Sequence, residues 1–160
     1  MAHPAYMTTK GQKQGVFKGQ GPKGENRIPV VFFEFETVSM GDASGGQAPG
    51  GTAYKPVVFK REVDAASPQL FLACATNETL LEIVLSFAKV SSSGTEAVYY
   101  TVKFTNAVVA WFRQSVQVGE PGGPAVDSRF LDEVSLNYEK VEVTDIPGKT
   151  TAAGGATVRV

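Results

Sequence analysis

The sequence has only one histidine, His3, and only one cysteine, Cys74, among its 160 residues. A lone cysteine cannot form an intramolecular disulfide, and a lone histidine near the N-terminus has no second ligand for a metal and no triad to join. Because no histidine is at hand to activate its thiol, Cys74 is expected to be a small buried hydrophobic residue. The sequence therefore predicts neither a metal site nor a nucleophilic active site.

The sequence also lacks an excess of charge of either sign and any long hydrophobic run. Its 15 basic and 16 acidic residues give a net charge of -1, whereas nucleic-acid-binding proteins usually carry clustered lysine and arginine. No apolar stretch approaches the roughly 20 residues of a membrane-spanning helix, and residues 1–10 lack the apolar core of about 7–15 residues of a secretory signal. We expect a protein that folds in the cytoplasm, binds no nucleic acid, does not insert into membranes and, if exported, leaves without a cleaved signal peptide.

The main pattern in the sequence is the alternation of apolar and polar residues. This period of two predicts β-strands. The predicted strands cover residues 27–40, 54–63, 79–89, 96–104, 106–116 and 131–143, with a bend at Thr105-Asn106. The predicted core-facing residues are Val31, Phe33, Phe35, Leu81, Ile83, Leu85, Phe87, Val98, Tyr100, Val102, Phe104, Val134, Leu136 and Tyr138. Val141 and Val143 fall on the opposite face, which indicates either a bulge or burial of both strand faces against a partner.

One helix is predicted among the strands. It is expected to begin at Ser67-Pro68, because serine is a common N-cap and proline suits the first helical turn. Six or seven strands and one helix indicate a mainly β fold, an antiparallel β-barrel of two sheets with one short flanking α-helix. This domain is expected to span residues 1–144, and residues 145–160 are expected to form a flexible C-terminal tail.

Two patterns that might carry chemistry do not meet the requirements of their mechanisms. The glycine-rich residues 19–24 continue with Glu25-Asn26, where a phosphate-binding loop needs lysine and a hydroxyl residue at the start of a helix. Glu34 and Glu36 share one strand face, and exposed strand acids usually form a solvated surface instead of a catalytic pair. We therefore expect no catalytic residues, no cofactor and no enzymatic activity.

A set of apolar residues alternates out of phase with the predicted core. Its members are Val30, Phe32, Tyr99, Val109 and Trp111. If the other phase fills the interior, these residues point outward, and exposed apolar groups of this kind usually mark protein–protein contacts. The alternative is that the strands are sandwiched between the barrel and the helix, and the pattern alone does not separate the two.

Four stretches of the chain form a recognisable set. They are YMTTKGQKQGVFKG (6–19), ASPQLFLACATNETLLEIVLSF (66–87), VYYTVKFTNAVV (98–109) and LDEVSLNYEKVEV (131–143). In order and spacing they resemble the Hcp family, the haemolysin-coregulated proteins that form the inner tube of bacterial type VI secretion systems. The resemblance implies a phage tail-tube-like fold and a homohexameric ring that stacks into a tube. It also implies sheath, tip and effector proteins as partners, with the ring carrying or chaperoning the effectors.

The resemblance further implies where copies of the chain meet. In the family an extended loop after the second strand reaches toward the next ring, and here it corresponds to residues 40–53. The predicted stacking residues are Met40, Asp42, Gly45, Gly46, Gln47, Ala48, Pro49 and Gly50. A cyclic ring joins one surface to a different surface of the neighbour. The predicted subunit contact consists of Phe32, Tyr99, Trp111, Val141 and Val143.

Two other functions stay open at this point. The first is the tail-tube protein of a phage or a phage-like contractile particle, which sequence separates poorly from a secretion tube. The second is a small-molecule-binding β-barrel, for which the interior would have to be hollow. The large predicted core residues, such as Phe33, Phe87 and Phe104, are expected to fill that interior.

Overall fold

The computed structural model describes residues 4–19, 26–39, 52–126 and 128–155. Within them the elements are β1 (Ala5–Gly11), β2 (Gly15–Val16), β3 (Ile28–Pro29), β4 (Phe32–Glu34), β5 (Thr37–Ser39), β6 (Thr52–Tyr54), β7 (Val57–Glu62), α1 (Ser67–Thr76), β8 (Thr79–Val90), β9 (Glu96–Ser115), β10 (Leu131–Asp145) and β11 (Thr150–Gly155). The paired strands are antiparallel throughout. The predicted mainly β fold with one short helix is confirmed.

The strands form two sheets, as predicted. Nine strands make a sheet whose main path is β2-β1-β8-β9-β10-β7-β4, with β3 added to β1 and β11 added to β10. The second sheet contains β5 and β6. The pairing path of the large sheet is open within the described residues. Residues 28–34 bridge its two sides, because β3 pairs with β1 while β4 pairs with β7.

In the three long central strands, β8, β9 and β10, the alternation of core-facing and outward-facing residues shifts by one residue at the same level of the sheet. Core-facing residues mostly follow one another by steps of two, and each strand makes a step of three at the same level of the sheet. These steps run from Leu80 to Ile83, from Phe104 to Ala107 and from Tyr138 to Val141. Strand register is kept across the step, since Leu80 pairs with Ala107 and Ile83 pairs with Phe104. Asn106 has a left-handed φ of 51° at this step, where the sequence predicts a bend.

This shared step corrects several predicted orientations. Leu81 is exposed instead of core-facing, because the step of three leaves it on the outside. Val141 is only 6% exposed and Val143 packs against the core, so both lie on the inward face of β10. Their change of phase comes from the bend and not from a partner. Val141 is covered by the chain's own core and Val143 is half-buried against it, and the predicted contact of these two residues with a neighbouring subunit stays a prediction.

Four other orientations also differ from the pattern. Val31 and Val98 are exposed, although the alternation predicts them in the core. Val30 and Val109 are buried, although the alternation predicts them on the outside. The inversion at residues 30–31 arises because the chain is crossing between strands there. The backbone N–H of Val30 donates to Ala5 O, and that of Val31 donates to Lys60 O.

Aromatic rings fill the space between the sheet faces. The Phe104 ring centroid lies 4.8 Å from that of Tyr138, 5.9 Å from that of Phe35 and 6.3 Å from that of Phe33. Phe87 extends the cluster, with its centroid 5.7 Å from Phe33. Rings at these separations gain packing energy beyond their buried area. Among the described residues the large aromatic side chains pack against one another in the interior, as the sequence predicts.

The C-terminal segment is more ordered than predicted. Residues 145–160 are expected to form a flexible tail, yet Asp145 ends β10 and Thr150–Gly155 form β11. β11 pairs along β10 from Lys140↔Gly155 to Asp145↔Thr150. The expected tail is wrong for these residues, since a small, polar sequence can still pair when a strand edge is available beside it. Residues 156–160 lie outside the described part of the chain.

The helix begins where the sequence predicts but is capped differently. Its N-cap is Ala66, which makes no side-chain capping hydrogen bond, and Pro68 lies in the first turn. Ser67 is buried, and its hydroxyl donates to Asp132 instead of capping the helix. Asn77 ends the helix in the left-handed conformation, with φ of 57°. α1 packs on β9 and closes one end of the core.

Candidate assembly surfaces

The outer face of strands β4, β7, β10 and β9 carries two of the aromatic residues predicted as subunit contacts. Cross-strand pairing places Phe32, Lys60, Glu133 and Arg113 in one row, and paired residues project to the same side of a sheet. Trp111 lies two residues from Arg113 on that same side. Lys60 Nζ is 4.9 Å from the Phe32 ring centroid, and Arg113 Cζ is 4.9 Å from the Trp111 centroid. The structure thus brings Phe32 and Trp111 together on one cation-covered aromatic face.

Tyr99 lies apart from that face. It belongs to the β8–β9 hairpin, where Lys89 Nζ is 4.5 Å from its ring centroid. Its backbone O accepts a 3.0 Å hydrogen bond from the N–H of Ile146, just beyond the end of β10. Trp111, in contrast, pairs with Ser135 near the start of β10. Phe32 and Trp111 therefore lie on one surface and Tyr99 on another.

An apolar groove opens beside α1, at the ends of β7 and β9. Its volume is about 510 Å³, and its lining consists of Val63, Asp64, Ser67, Pro68, Phe71, Gln114 and Phe130. Phe71 is 58% exposed, and its ring meets that of Phe112 edge-on at 6.1 Å. Sequence reasoning missed this groove because its lining comes from four separate segments of the chain, which only the fold brings together.

A buried polar cluster supports the floor of this groove. Arg61 Nη1 donates to Asp132 Oδ2 over 2.8 Å, and both side chains are fully buried. Ser67 Oγ donates to the same oxygen over 2.6 Å, and Gln114 Nε2 donates to Asp132 Oδ1 over 2.8 Å. Arg61 Nη2 also bonds Asp64 Oδ1. The cluster fastens the start of α1 to β7 and β10. A signal was available in the sequence, because Arg61 and Asp132 stand at core-facing positions of their strands.

The turn between β1 and β2 is held by a buried carboxylate. The backbone N–H groups of Lys13 and Gln14 donate to Glu78 Oε2 over 3.0 and 2.9 Å, and Gln14 Nε2 donates to Oε1 over 3.2 Å. A Cβ at Gly11 would collide with this carboxylate, which explains the glycine. Burial raises the pKa of Glu78, but the hydrogen bonds from Gln14 and Lys13 and the charge of Lys13 outweigh it, so the pKa lies below the usual 4.5.

Glu78→Gln should lower the free energy of unfolding by about 1.5–3 kcal/mol at neutral pH, the usual value of hydrogen bonds to a charged group. Because the folded pKa is lowered, the ionised carboxylate stabilises the protein above pH 4.5, and this stabilisation is lost as the pH falls through the folded pKa. Urea unfolding at pH 7 and at pH 4 should show the difference from the parent shrinking in acid. Glu82→Gln is the matched control, since Glu82 is exposed and 3.6 Å from Lys103. If Glu78→Gln lowered the free energy of unfolding by the same amount at pH 7 and at pH 4, the ionised carboxylate would not be the source of the stabilisation.

The base of the predicted stacking loop is anchored to the rest of the fold. β5 and β6 pair from Thr37↔Tyr54 to Ser39↔Thr52, so they bring the two ends of residues 40–51 together. Tyr138 OH donates to Lys55 O over 3.0 Å, and burial, followed by the nearby Tyr54, raises the pKa of Tyr138. The predicted stacking residues themselves, Met40, Asp42, Gly45, Gly46, Gln47, Ala48, Pro49 and Gly50, lie outside the described residues.

The described residues contain no cluster of three or more His, Cys, Asp or Glu side chains able to hold a metal ion. Cys74 is a half-buried free thiol, and His3 lies outside the described residues. No helix in the described part of the chain is long and apolar enough to cross a membrane.

Comparisons with protein families and with curated proteins both find a match for this chain. The family model described as "Type VI secretion system effector, Hcp" matches residues 6–144. The "Major exported protein" of Pseudomonas aeruginosa is 29% identical over 155 residues, covering 90% of each chain.

Solved structures show the same fold. A doubly substituted Hcp1 from E. coli superposes with a TM-score of 0.81 at 26% identity, covering 97% of this chain and 99% of that one. The secreted protein Hcp3 from Pseudomonas aeruginosa has a TM-score of 0.77 at 23% identity, covering 98% and 100%. The phage-particle and small-molecule alternatives are not favoured by these matches. Because the family model covers most of the sequence, the chain belongs to the Hcp family of type VI secretion proteins.

Proposed function

We propose that this protein, a tube subunit of a type VI secretion system, assembles into hexameric rings that stack into the inner tube. The observation that carries the proposal is the cation-covered aromatic face of Phe32 and Trp111, which stands on the outside of an already packed domain. The role is structural and not catalytic. The ring carries or chaperones effectors, works with sheath and tip proteins, and is assembled in the cytoplasm before export without a cleaved signal peptide.

Residues 40–50 serve as the contact between stacked rings in this proposal. The paired strands β5 and β6 hold both ends of this segment at one place on the domain. Tyr138 holds Lys55, the residue that follows β6, to the body of the domain. Phe32 and Trp111 on one surface, and Tyr99 on another, belong to the contact within the ring.

Light scattering of the purified protein tests the ring directly. The expected mass is about 102 kDa, six times the 17.0 kDa of one chain, and negative-stain images of the same fraction should show ring-shaped particles. A mass of 17.0 kDa that persists at high protein concentration would contradict the proposed hexamer.

Trp111→Ala should weaken the ring by about 2 kcal/mol or more, because a large aromatic anchor at an interface is removed. The measurement is the protein concentration at which the 102 kDa species dissociates, with far-UV circular dichroism to show that the subunit stays folded. Trp111→Phe, which keeps an aromatic ring, is the matched control and should dissociate less. A ring that dissociates at the parental concentration would place Trp111 outside the contact.

A further inference from the structure

We propose that the groove beside α1 binds an extended segment of a different protein, in which a bulky apolar side chain and a lysine or arginine stand two residues apart. The lining of the groove includes none of Phe32, Tyr99 and Trp111 and no part of residues 40–50, which the proposed function assigns to contacts between copies of this chain. The inference therefore goes beyond the proposed function and does not depend on the ring.

The groove continues past Val63 into a smaller depression. That depression has a volume of about 80 Å³ and is lined by Pro29, Val31, Glu62, Val63 and Asp64. It shares Val63 and Asp64 with the larger depression of about 510 Å³. Together the two form a cleft that runs from α1, across the end of β7, to the segment between β3 and β4. Two adjoining depressions offer separate places for two side chains of one bound segment.

The walls of the cleft are apolar and exposed. Phe71 is 58% exposed, Val31 50% and Phe130 46%. Exposed apolar side chains that converge on a concave surface commonly mark a binding site, and aromatic residues are frequent anchors of bound partners. The larger depression, which Phe71 and Phe130 line, is the place for the apolar side chain of the occupant.

The charged residues in the lining of the cleft are acidic. They are Glu62, which is exposed, and Asp64. Among the described residues, neither depression is lined by a lysine or an arginine. Beneath the cleft the guanidinium of Arg61 is fully buried against the carboxylates of Asp64 and Asp132. Three carboxylates against one guanidinium leave an excess of negative charge, which favours a cationic side chain in the occupant.

The spacing of the two side chains follows from the backbone of the occupant. Alternate side chains of an extended segment project to the same side. An apolar residue can therefore enter the larger depression while a lysine or arginine two positions away faces Glu62 and Asp64. The exposed Arg129 lies outside both linings and offsets at most one of the negative charges.

Fluorescence anisotropy with a labelled probe peptide, GSLVRVLSG, tests the cleft on the full chain. Its valines favour an extended backbone, and each leucine stands two residues from the arginine. The parent should bind this peptide saturably. The charge-reversed peptide GSLVEVLSG should bind about tenfold more weakly, because attraction to the acidic lining becomes repulsion. The peptide GSSVRVSSG should also bind about tenfold more weakly, because it lacks the leucines that enter the larger depression.

Variants of the chain locate the binding. Phe71→Ser should weaken binding of GSLVRVLSG about fivefold or more, because it removes an aromatic wall. Leu72→Ser is the matched control, since Leu72 is 44% exposed on the same helix and lines neither depression. Glu62→Gln should reduce the preference for GSLVRVLSG over GSLVEVLSG. Thermal unfolding shows whether each variant is folded, and Phe130→Ser replaces Phe71→Ser if that variant is not.

Four outcomes would overturn the inference. Three of them are the absence of saturable binding, equal affinity for GSLVRVLSG and GSLVEVLSG, and equal affinity of the parent and Phe71→Ser. The fourth is a probe that binds the 17.0 kDa chain but not the ring of about 102 kDa, six times that mass, because a second copy would then cover the cleft. Each of them leaves the proposed hexamer to be judged by its own mass measurement.

Discussion

Asp132→Ala should lower the free energy of unfolding by about 3–5 kcal/mol, the cost of removing one partner of a buried ion pair. The substitution leaves the guanidinium of Arg61 fully buried without the 2.8 Å bond to Asp132 Oδ2. It also removes the acceptor of the Ser67 hydroxyl and that of the Gln114 amide. A loss of this size is a large fraction of the 5–15 kcal/mol by which domains are typically stable, so the variant should unfold at much lower urea.

The neighbouring Glu133→Ala provides the control for this prediction. Glu133 Oε2 lies 3.7 Å from Arg113 Nη1, and the Arg113 side chain is mostly exposed. Exposed ion pairs contribute about 0–1 kcal/mol, so this variant should stay close to the parent. Both unfolding curves should be recorded by circular dichroism at one protein concentration, because association adds to apparent stability. If Asp132→Ala and Glu133→Ala lowered the free energy of unfolding equally, burial of the Arg61–Asp132 pair would not explain its contribution to stability.

Phe104→Ala should cost about 3–5 kcal/mol, the range observed when a buried phenylalanine is truncated. Phe104 is fully buried at the inward step of β9. Its ring contacts those of Phe33, Phe35 and Tyr138, so a cavity there removes packing from β4, β9 and β10 at once. Urea unfolding should show a lower midpoint with little change in slope, as expected when stability changes without a change in the surface exposed on unfolding.

Val118→Ala is the comparison for the core truncation. Val118 is 80% exposed in the segment after β9, and surface substitutions away from special features usually stay within about 0.5 kcal/mol. If Phe104→Ala were as mild as Val118→Ala, the aromatic cluster would not be the centre of the core.

The residues that sequence alone oriented correctly lie on the straight parts of strands. Val102, Phe104, Val134 and Leu136 were predicted in the core and are buried, because within a straight segment a period of two has only one phase. Trp111 points outward because a second step of three, from Val109 to Phe112, restores the phase that the bend at Asn106 had inverted. Of the predicted subunit contacts, Phe32 and Trp111 share a face, Tyr99 lies on another surface, Val141 is buried in the core and Val143 is half-buried against it.

The assembly surfaces show why some features could not be predicted. The groove forms only where α1, the end of β7 and the start of β10 pack together. The periodicity of a sequence does not predict which separate segments pack against one another. The exposure of Val90 and Val98 depends on which elements lie beside the β8–β9 hairpin. A valine is equally compatible with a covered and an uncovered strand, so its residue type carries no information on this point.

By itself, the sequence determined the strand-rich class, the start of the single helix and the membership of a secretion-tube family, because alternation, proline placement and motif order are local properties of the chain. Only the tertiary structure decided the shared phase step, the contact between Arg61 and Asp132, the pairing of β11 and the groove beside α1. Which residues face the core beyond the bend is decided by the packing of β8, β9 and β10 against one another. Alternation places Arg61 and Asp132 at core-facing positions of their strands, but their pairing across 71 residues of chain depends on the tertiary structure.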